Sequence, residues 1–245
     1  MYIGQALRRR EDERFLRGRG TYVSDVTLPN MAYAAYVRSA HAHAGIRGFT
    51  TDAALAVPGV LAVLTAQDWL QQGLGRSPCL WLQPQRDGTP INPIVRPILT
   101  ADRARHVGDT VALVVADDPD VARDAADLLE VDYEIHDANT DVAHALNPEA
   151  PIVHPDHGTN LVFDWDVGDE NATEAAFAKA AHVERLELGN NRLAPSPMEP
   201  RAVVGNYDAA DDRYTLWTST QNPHLVRRWL AEDSLFVPEH KIRVV

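Results

Sequence analysis

The chain has 245 residues, 45% of them hydrophobic, enough for one large domain or two ordinary ones with a buried core. Its formal net charge of −12 argues against a nucleic-acid surface, because phosphate binding needs Lys and Arg clustered in excess of nearby carboxylates. A single cysteine, Cys79, excludes an internal disulfide and a cysteine-ligated zinc or iron–sulfur centre carried by this chain alone.

The first 20 residues read as polar and irregular. Their basic cluster, Arg8 to Arg10, is followed at once by Glu11, Asp12 and Glu13, as in a solvated or subunit-facing arm. No apolar h-region follows those arginines and no apolar run approaches the ~20 residues of a membrane span, so neither a secretory signal nor a membrane helix is expected, and a cytoplasmic location is. "MAYAAYVRS" reads as a strand with Met31, Tyr33, Ala35 and Val37 on one parity. "TDAALAVPGV" predicts a short helix capped by Thr51 and stopped by Pro58-Gly59. "VLAVLT" then reads as a buried strand, and Thr65 and Asp68 stand at capping-box spacing ahead of a helical turn. Residues 71 to 99, rich in Gly, Pro and Gln, predict a long loop of the kind that serves function or an interface.

"TVALVVA" predicts a buried strand, "DDPDVARDAADLLE" a helix and "VDYE" a strand, together a β-α-β layer with the helix on one sheet face. Asp118 is the expected cap, Pro119 the first helical residue, and Val121, Ala125, Leu128 and Leu129 the apolar stripe. Residues 136 to 160, rich in Asn, Pro, Asp and His, read as a domain boundary. Beyond it come a helix at "ATEAAFAKA", a strand at "HVERLELG" and an antiparallel hairpin formed by "RAVVGNY" and "RYTLWTST". "PHLVRRWLAEDSLF" predicts an amphipathic helix with Leu225, Val226, Trp229 and Leu230 inward, and "KIRVV" reads as a further strand cut short.

Candidate chemistry is sparse. His41 with His43, and His154 with His157, each supply two possible metal ligands, whereas zinc wants three or four, so both pairs read as hydrogen-bonded loop histidines. No G-x-S-x-G elbow and no phosphate-cradling glycine motif is present, and the acidic pairs Asp117-Asp118 and Asp211-Asp212 fall at a cap and a hairpin tip. Two stretches hold more. In "NNRLAPSPMEPR", Glu199 sits between Met198 and Pro200, either as an aimed carboxylate or as a surface residue of an inter-strand connector. In "WTSTQNPH", Gln221 lies between a strand end and a helix whose cap and first residue are Asn222 and Pro223. Ligands of α/β proteins collect at such ends, and a carboxamide there both donates and accepts without adding charge; the alternative is a satisfied polar residue.

The segments "YIGQALRRREDERFLRGRGTYVSDVTLPNMAYAAYVRSAHAHAGI", "LTADRARHVGDTVALVVAD", "LLEVDYE", "NNRLAPSPMEPRAVV" and "LWTSTQNPHLVRRWLAE", with "VPEHKIRVV", carry a pattern in order along nearly the whole chain. That pattern resembles the N-terminal third of the molybdenum hydroxylase large subunit, the xanthine dehydrogenase and aldehyde oxidase family that includes aerobic carbon monoxide dehydrogenase. The resemblance implies an α+β chain: an arm (1–17), an α/β hammerhead domain (18–137), a linker (138–160) and a partial molybdopterin-binding domain (161–245).

In that family the glutamine of the T-Q-x-P-H stretch lies beside the molybdenum centre and hydrogen-bonds an oxo ligand, a role that Gln221 would inherit. Glu199 is the weaker substrate-pocket candidate, and no catalytic residue or metal ligand is assigned within these residues. The resemblance further implies a molybdopterin-type cofactor, an aldehyde or N-heterocycle as small-molecule substrate, water as oxygen source, and electron transfer to iron–sulfur and FAD subunits. The family's G-G-F-G stretch, further pterin-binding segments and general-base glutamate come after the strand matched by "KIRVV". A fragment or split subunit, inactive without the remaining large-subunit segment, is therefore expected. The rival expectation is a non-catalytic assembly module that docks partners through the arm and the 71–99 loop.

Overall fold

A computed structural model describes residues 3–80, 82–91, 93–191 and 193–245. Trp81 and Asn92 of the predicted loop and Arg192 of the predicted connector lie outside the described residues. The chain divides into two compact units, one from the first 31 residues together with Ser196–Val245, the other Ala32–Pro195. Helix α1 (Asp12–Leu16) lies in the first of these stretches, with acidic residues in its first turn and Arg17 reaching back to Glu13 at 2.8 Å.

The unit Ala32–Pro195 opens with β1 (Tyr33–Arg38), β2 (Ala44–Thr50), α2 (Asp52–Leu55), β3 (Val60–Thr65) and α3 (Ala66–Gln71). It continues with β4 (Arg103–Ala104), β5 (Thr110–Ala116), α4 (Pro119–Asp127), β6 (Glu130–Ile135) and α5 (Glu170–Lys179). Two three-stranded antiparallel sheets result, ordered β1-β5-β3 and β4-β2-β6. The β1 alternation is as its parity predicts, with Tyr33, Ala35 and Val37 turned from solvent and Ala34, Tyr36 and Arg38 exposed. Strand β5 is the most buried element because it is paired on both edges and covered by helices on one face. Ala112 and Val114 pack there with Ala54, Ala125 and Leu129.

Four expectations change in these two sheets and their helices. The predicted β-α-β layer does not form one sheet: β5 lies in β1-β5-β3, while β6 joins the other sheet opposite β2, so α4 links the two. The α4 stripe is shifted, with Ala122, Ala125 and Leu129 buried and Leu128 exposed, because the helix ends at Asp127 and Leu128 falls on the cap. Strand β3 is half-buried, since a bulge between Val60 and Ala62 turns Leu61 outward. At α2, Thr51 holds the cap position without a capping side-chain bond, whereas Asp118 Oδ1 accepts from the Asp120 and Val121 amides at 2.8 and 3.3 Å. The Thr65–Asp68 pairing is present, with the Thr65 amide and hydroxyl both donating to Asp68 Oδ2 at 2.7 Å. Gly59 ahead of β3 is required as glycine: its φ is +97° and a Cβ would stand 2.5 Å from Asp117 Oδ1.

Three histidines of this unit, His41, His43 and His154, are partly or fully buried. His43 is buried and holds the Asp137 carbonyl through Nδ1 at 2.7 Å and Arg103 Nη1 through Nε2 at 3.1 Å. Because Arg103 can only donate, the His43 ring carries its proton on Nδ1. His41 stacks edge-on to Tyr133, with ring centroids 5.0 Å apart. His154 is half-buried, and burial first, then the Arg105 and His157 charges, push its pKa below the ordinary 6.5, against weaker opposing pulls from Asp102 and Asp109.

The remaining elements, β7 (Val203–Asp208), β8 (Arg213–Thr218), α6 (Pro223–Trp229) and β9 (Ile242–Val244), form the sheet β7-β8-β9 with its helix. The β7–β8 hairpin is antiparallel as predicted, and β9 runs parallel to β8. Tyr207 and Lys241 both reach Asp212 at the hairpin turn, and Arg227 pairs with Glu239 at 2.8 Å, so α6 and the lead into β9 are pinned to the sheet. The predicted long helix is interrupted: α6 passes into a π turn at Leu230–Leu235, which ends at Phe236 with φ +53°. Val226, Trp229 and Leu230 are partly covered, whereas Leu225 is exposed. The predicted strand at "HVERLELG" is absent, because residues 182–189 are exposed and no described strand pairs with them.

Val114→Ala removes fully buried apolar surface in the doubly paired strand and should cost about 2 kcal/mol of stability in urea unfolding. Asp118→Ala should cost about 1 kcal/mol, and Asp118→Asn only a fraction of that. For His154, the depressed folded pKa means that the unfolded chain binds the proton first. The stability contribution is complete above about pH 6.5 and is lost as pH falls through 6.5 toward the lower folded value. The His154→Gln variant should therefore show a flatter loss of stability below that pH and no change in slope above it, read from urea midpoints across pH 5 to 8 at roughly half-unit steps.

Candidate functional site

The open end of the β7–β8 hairpin gathers both residues singled out in the sequence. Val203 pairs with Thr218, the last rung of the ladder, and the Ser219 amide then donates to the Ala202 carbonyl at 3.4 Å. Pairing thus runs one residue beyond the named strands, bringing the connector that carries Glu199 beside the turn that carries Gln221. Ser219 Oγ donates to Glu199 Oε1 at 3.3 Å, two residues from Gln221.

On the other edge of β8, the Val245 amide donates to the Leu216 carbonyl at 2.8 Å and Val245 accepts from the Thr218 amide at 3.1 Å. Strand β8 is therefore held from both sides up to Thr218, and the parallel β9 reaches the same end of the sheet. The chain turns sharply there: the Asn222 amide donates to Thr220 Oγ1 at 3.1 Å, and Pro223 begins α6. Asn222 occupies the cap position without a side-chain capping bond.

Gln221 and Glu199 are both exposed. Among the described residues the Gln221 carboxamide has no hydrogen-bond partner, so its two N–H donors and its carbonyl acceptor are open to a ligand at the strand end. Glu199 has one oxygen engaged by Ser219 and the other open. The donor set is uncharged at Gln221 and anionic at Glu199, which suits orientation and proton handling and supplies no soft metal ligand. Among the described residues no group of three or more His, Cys, Asp or Glu is placed to hold a metal ion. Among the described helices none is long and apolar enough to cross a membrane.

Sequence reading missed Ser219, the partner of Glu199. The hairpin register brings it there: each rung steps back on one strand as it steps forward on the other, so Thr218 opposite Val203 sets Ser219 opposite Ala202, within reach of the connector.

Comparison with known proteins matches residues 17–137 to the aldehyde oxidase and xanthine dehydrogenase a/b hammerhead domain, and residues 153–245 to the molybdopterin cofactor-binding domain. The carbon monoxide dehydrogenase large chain of Afipia carboxidovorans is 38% identical over 99% of this chain and 30% of its own length. The nicotine 6-hydroxylase large subunit of Paenarthrobacter nicotinovorans is 34% identical over 94% of this chain and 27% of its own length. The crystal structure of quinoline 2-oxidoreductase from Pseudomonas putida 86 superposes with a TM-score of 0.86 at 35% identity, covering 100% of this chain and 30% of that one. The chain spans about 30% of the length of these relatives, and it carries the α+β architecture expected of that portion. These 245 residues belong to the aldehyde oxidase and xanthine dehydrogenase family, over its α/β hammerhead domain and the start of its molybdopterin cofactor-binding domain.

Proposed function

We propose that this chain is the N-terminal portion of the molybdopterin-binding subunit of an oxidoreductase that hydroxylates an aldehyde or an N-heterocycle with water as oxygen source. The observation that carries the reading is the open carboxamide of Gln221 at the end of a strand paired on both edges, within a stretch matched to a molybdopterin cofactor-binding domain. A molybdopterin-type molybdenum cofactor, when bound, supplies the two-electron oxidation and the oxygen-transfer chemistry. Iron–sulfur and FAD groups on partner subunits would accept the electrons.

Gln221 contributes position and polarity. Its N–H group would donate to an electronegative atom of the cofactor while adding no charge, and the short turn from Thr218 to Pro223 limits how far the backbone there can stray. Glu199, held by Ser219, places an acceptor at the rim of the same strand end, where it can take an N–H or O–H of a small substrate. The cofactor is held mainly by segments that the longer relatives possess beyond the matched stretch. The hammerhead unit acts as scaffold and docking surface. Pure assembly without redox chemistry is the second reading, favoured by the exposure of every described residue from Phe163 to Arg201.

In a subunit extended to the length of its relatives, Gln221→Ala should lower molybdenum occupancy or kcat/KM by about 10- to 100-fold. Unchanged metal content together with unchanged turnover would remove Gln221 from the site. Metal analysis of the isolated 245-residue chain should find essentially no molybdenum, and a stoichiometric amount would contradict the placement of the cofactor mainly on other segments.

A further inference from the structure

The residues on either side of Gln221 are tied down, and the ties differ in strength. The Thr218 amide donates to the Val245 carbonyl at 3.1 Å, and the Asn222 amide donates to Thr220 Oγ1 at 3.1 Å. Between them, Ser219 is the last residue before Gln221 that the sheet holds, through the bond from its amide to the Ala202 carbonyl at 3.4 Å. Backbone N–H···O bonds usually run about 2.7–3.2 Å, so this closing rung is a weak one and fraying would start there. A fray at Ser219 carries Gln221 with it, since only Thr220 separates the two.

Ser219 has a second hold. Its hydroxyl donates to Glu199 Oε1 at 3.3 Å, a contact between residues 20 positions apart that staples the mouth of the hairpin beyond the last backbone rung. The acceptor is a carboxylate oxygen, and a charge-assisted hydrogen bond is roughly twice as strong as a neutral one. Glu199 also stands on stiff backbone. Pro197 and Pro200 have fixed φ, and a residue directly before a proline is held extended. One residue is thus gripped twice from the strand that leads into β7, by the Ala202 carbonyl and by the Glu199 carboxylate.

Building on the reading of Gln221 as the group that faces the cofactor, and giving Glu199 a different main task from substrate contact, we propose that Glu199 is a positioning residue. Its carboxylate latches Ser219, steadies the turn at residues 219–222 and so aims Gln221. Ser219 is the other half of the latch, and the two act as one unit. The latch needs an acceptor at residue 199 and a hydroxyl at residue 219, so a carboxamide oxygen or a threonine hydroxyl can replace either half.

The test uses a subunit extended to the length of its relatives and carrying Ser219→Ala, Glu199→Ala, both together, or the conservative Glu199→Gln and Ser219→Thr. Without cofactor, amide exchange over residues 218–222, read by mass spectrometry, should be about tenfold faster in each alanine variant and no faster still in the double variant. Glu199→Gln and Ser219→Thr should return it to within about twofold of the parent rate. In the loaded subunit, kcat per bound molybdenum should fall about tenfold in each alanine variant with KM unchanged, because an ill-aimed Gln221 leaves the substrate contacts in place. The proposal is overturned by unchanged exchange in either alanine variant or by effects of the two that add. It is equally overturned if KM rises while kcat holds in Glu199→Ala, which returns Glu199 to substrate binding, or if kcat holds in the latch variants while Gln221→Ala lowers it. Should Gln221→Ala also leave turnover unchanged, the role of Gln221 at the cofactor falls, and the exchange rates alone decide the latch.

Discussion

Strand β8 is hydrogen-bonded on both edges, antiparallel to β7 and parallel to β9, and that double pairing determines where Ser219 to Asn222 stand. A strand with one free edge can fray or slip by a residue, and a slip of one reverses every side chain. Here the ladder to β7 continues through Ser219 and the ladder to β9 through Val245, so the last ordered rungs lie immediately before Gln221. The turn that follows is short, closed by Thr220 and stopped by Pro223, leaving the backbone at Gln221 little freedom. The other end of the sheet is clamped by the Asp212 contacts to Tyr207 and Lys241. The Lys241 contact lowers the Asp212 pKa most, with the Tyr207 hydroxyl next, so the carboxylate that ties the hairpin turn to β9 stays ionised across ordinary pH.

The hammerhead unit solves a different problem. Strand β5 and strand β6 are consecutive around α4 but belong to different sheets, so the helix covers β1-β5-β3 while its connection opens the second sheet. Small residues make that close approach possible: Ala112 and Val114 on β5 meet Ala54 on α2 and Ala125 on α4, all fully buried. Little side-chain entropy is lost at alanine, and close packing recovers dispersion contact. The opposite face of the same sheet leaves Tyr36 and Leu64 exposed, each opposite Leu113 in register.

Features controlled by local chemistry were legible in the sequence. The β1 alternation, the Asp118 and Thr65–Asp68 caps, and the β7–β8 hairpin each depend on residues a few positions apart. What sequence could not supply was pairing over distance. The "TVALVVA" strand and the "VDYE" strand carry no label for the sheet they join, so a single β-α-β layer was the natural and incorrect expectation. The "HVERLELG" pattern was likewise read as a strand because its alternation is real; a strand exists only when a neighbour takes up its hydrogen bonds, and none of the described strands does. The π turn after α6 arises where Ala231 and Ser234 are buried while Glu232 remains exposed, a local conflict that helical periodicity alone does not reveal. At the candidate site, Gln221 and Glu199 were legible as residue types in suggestive places, but their shared strand end was not, since it follows from a register between residues 20 positions apart.

A residue that must meet a ligand within a few tenths of an ångström belongs on backbone whose hydrogen bonds are already made, as at the end of β8, because reorganisation there would be charged against binding. The β7–β8 ladder closes over a short turn, so that strand end can form early at little entropic cost, whereas the parallel pairing of β8 with β9 must close over α6 and the π turn.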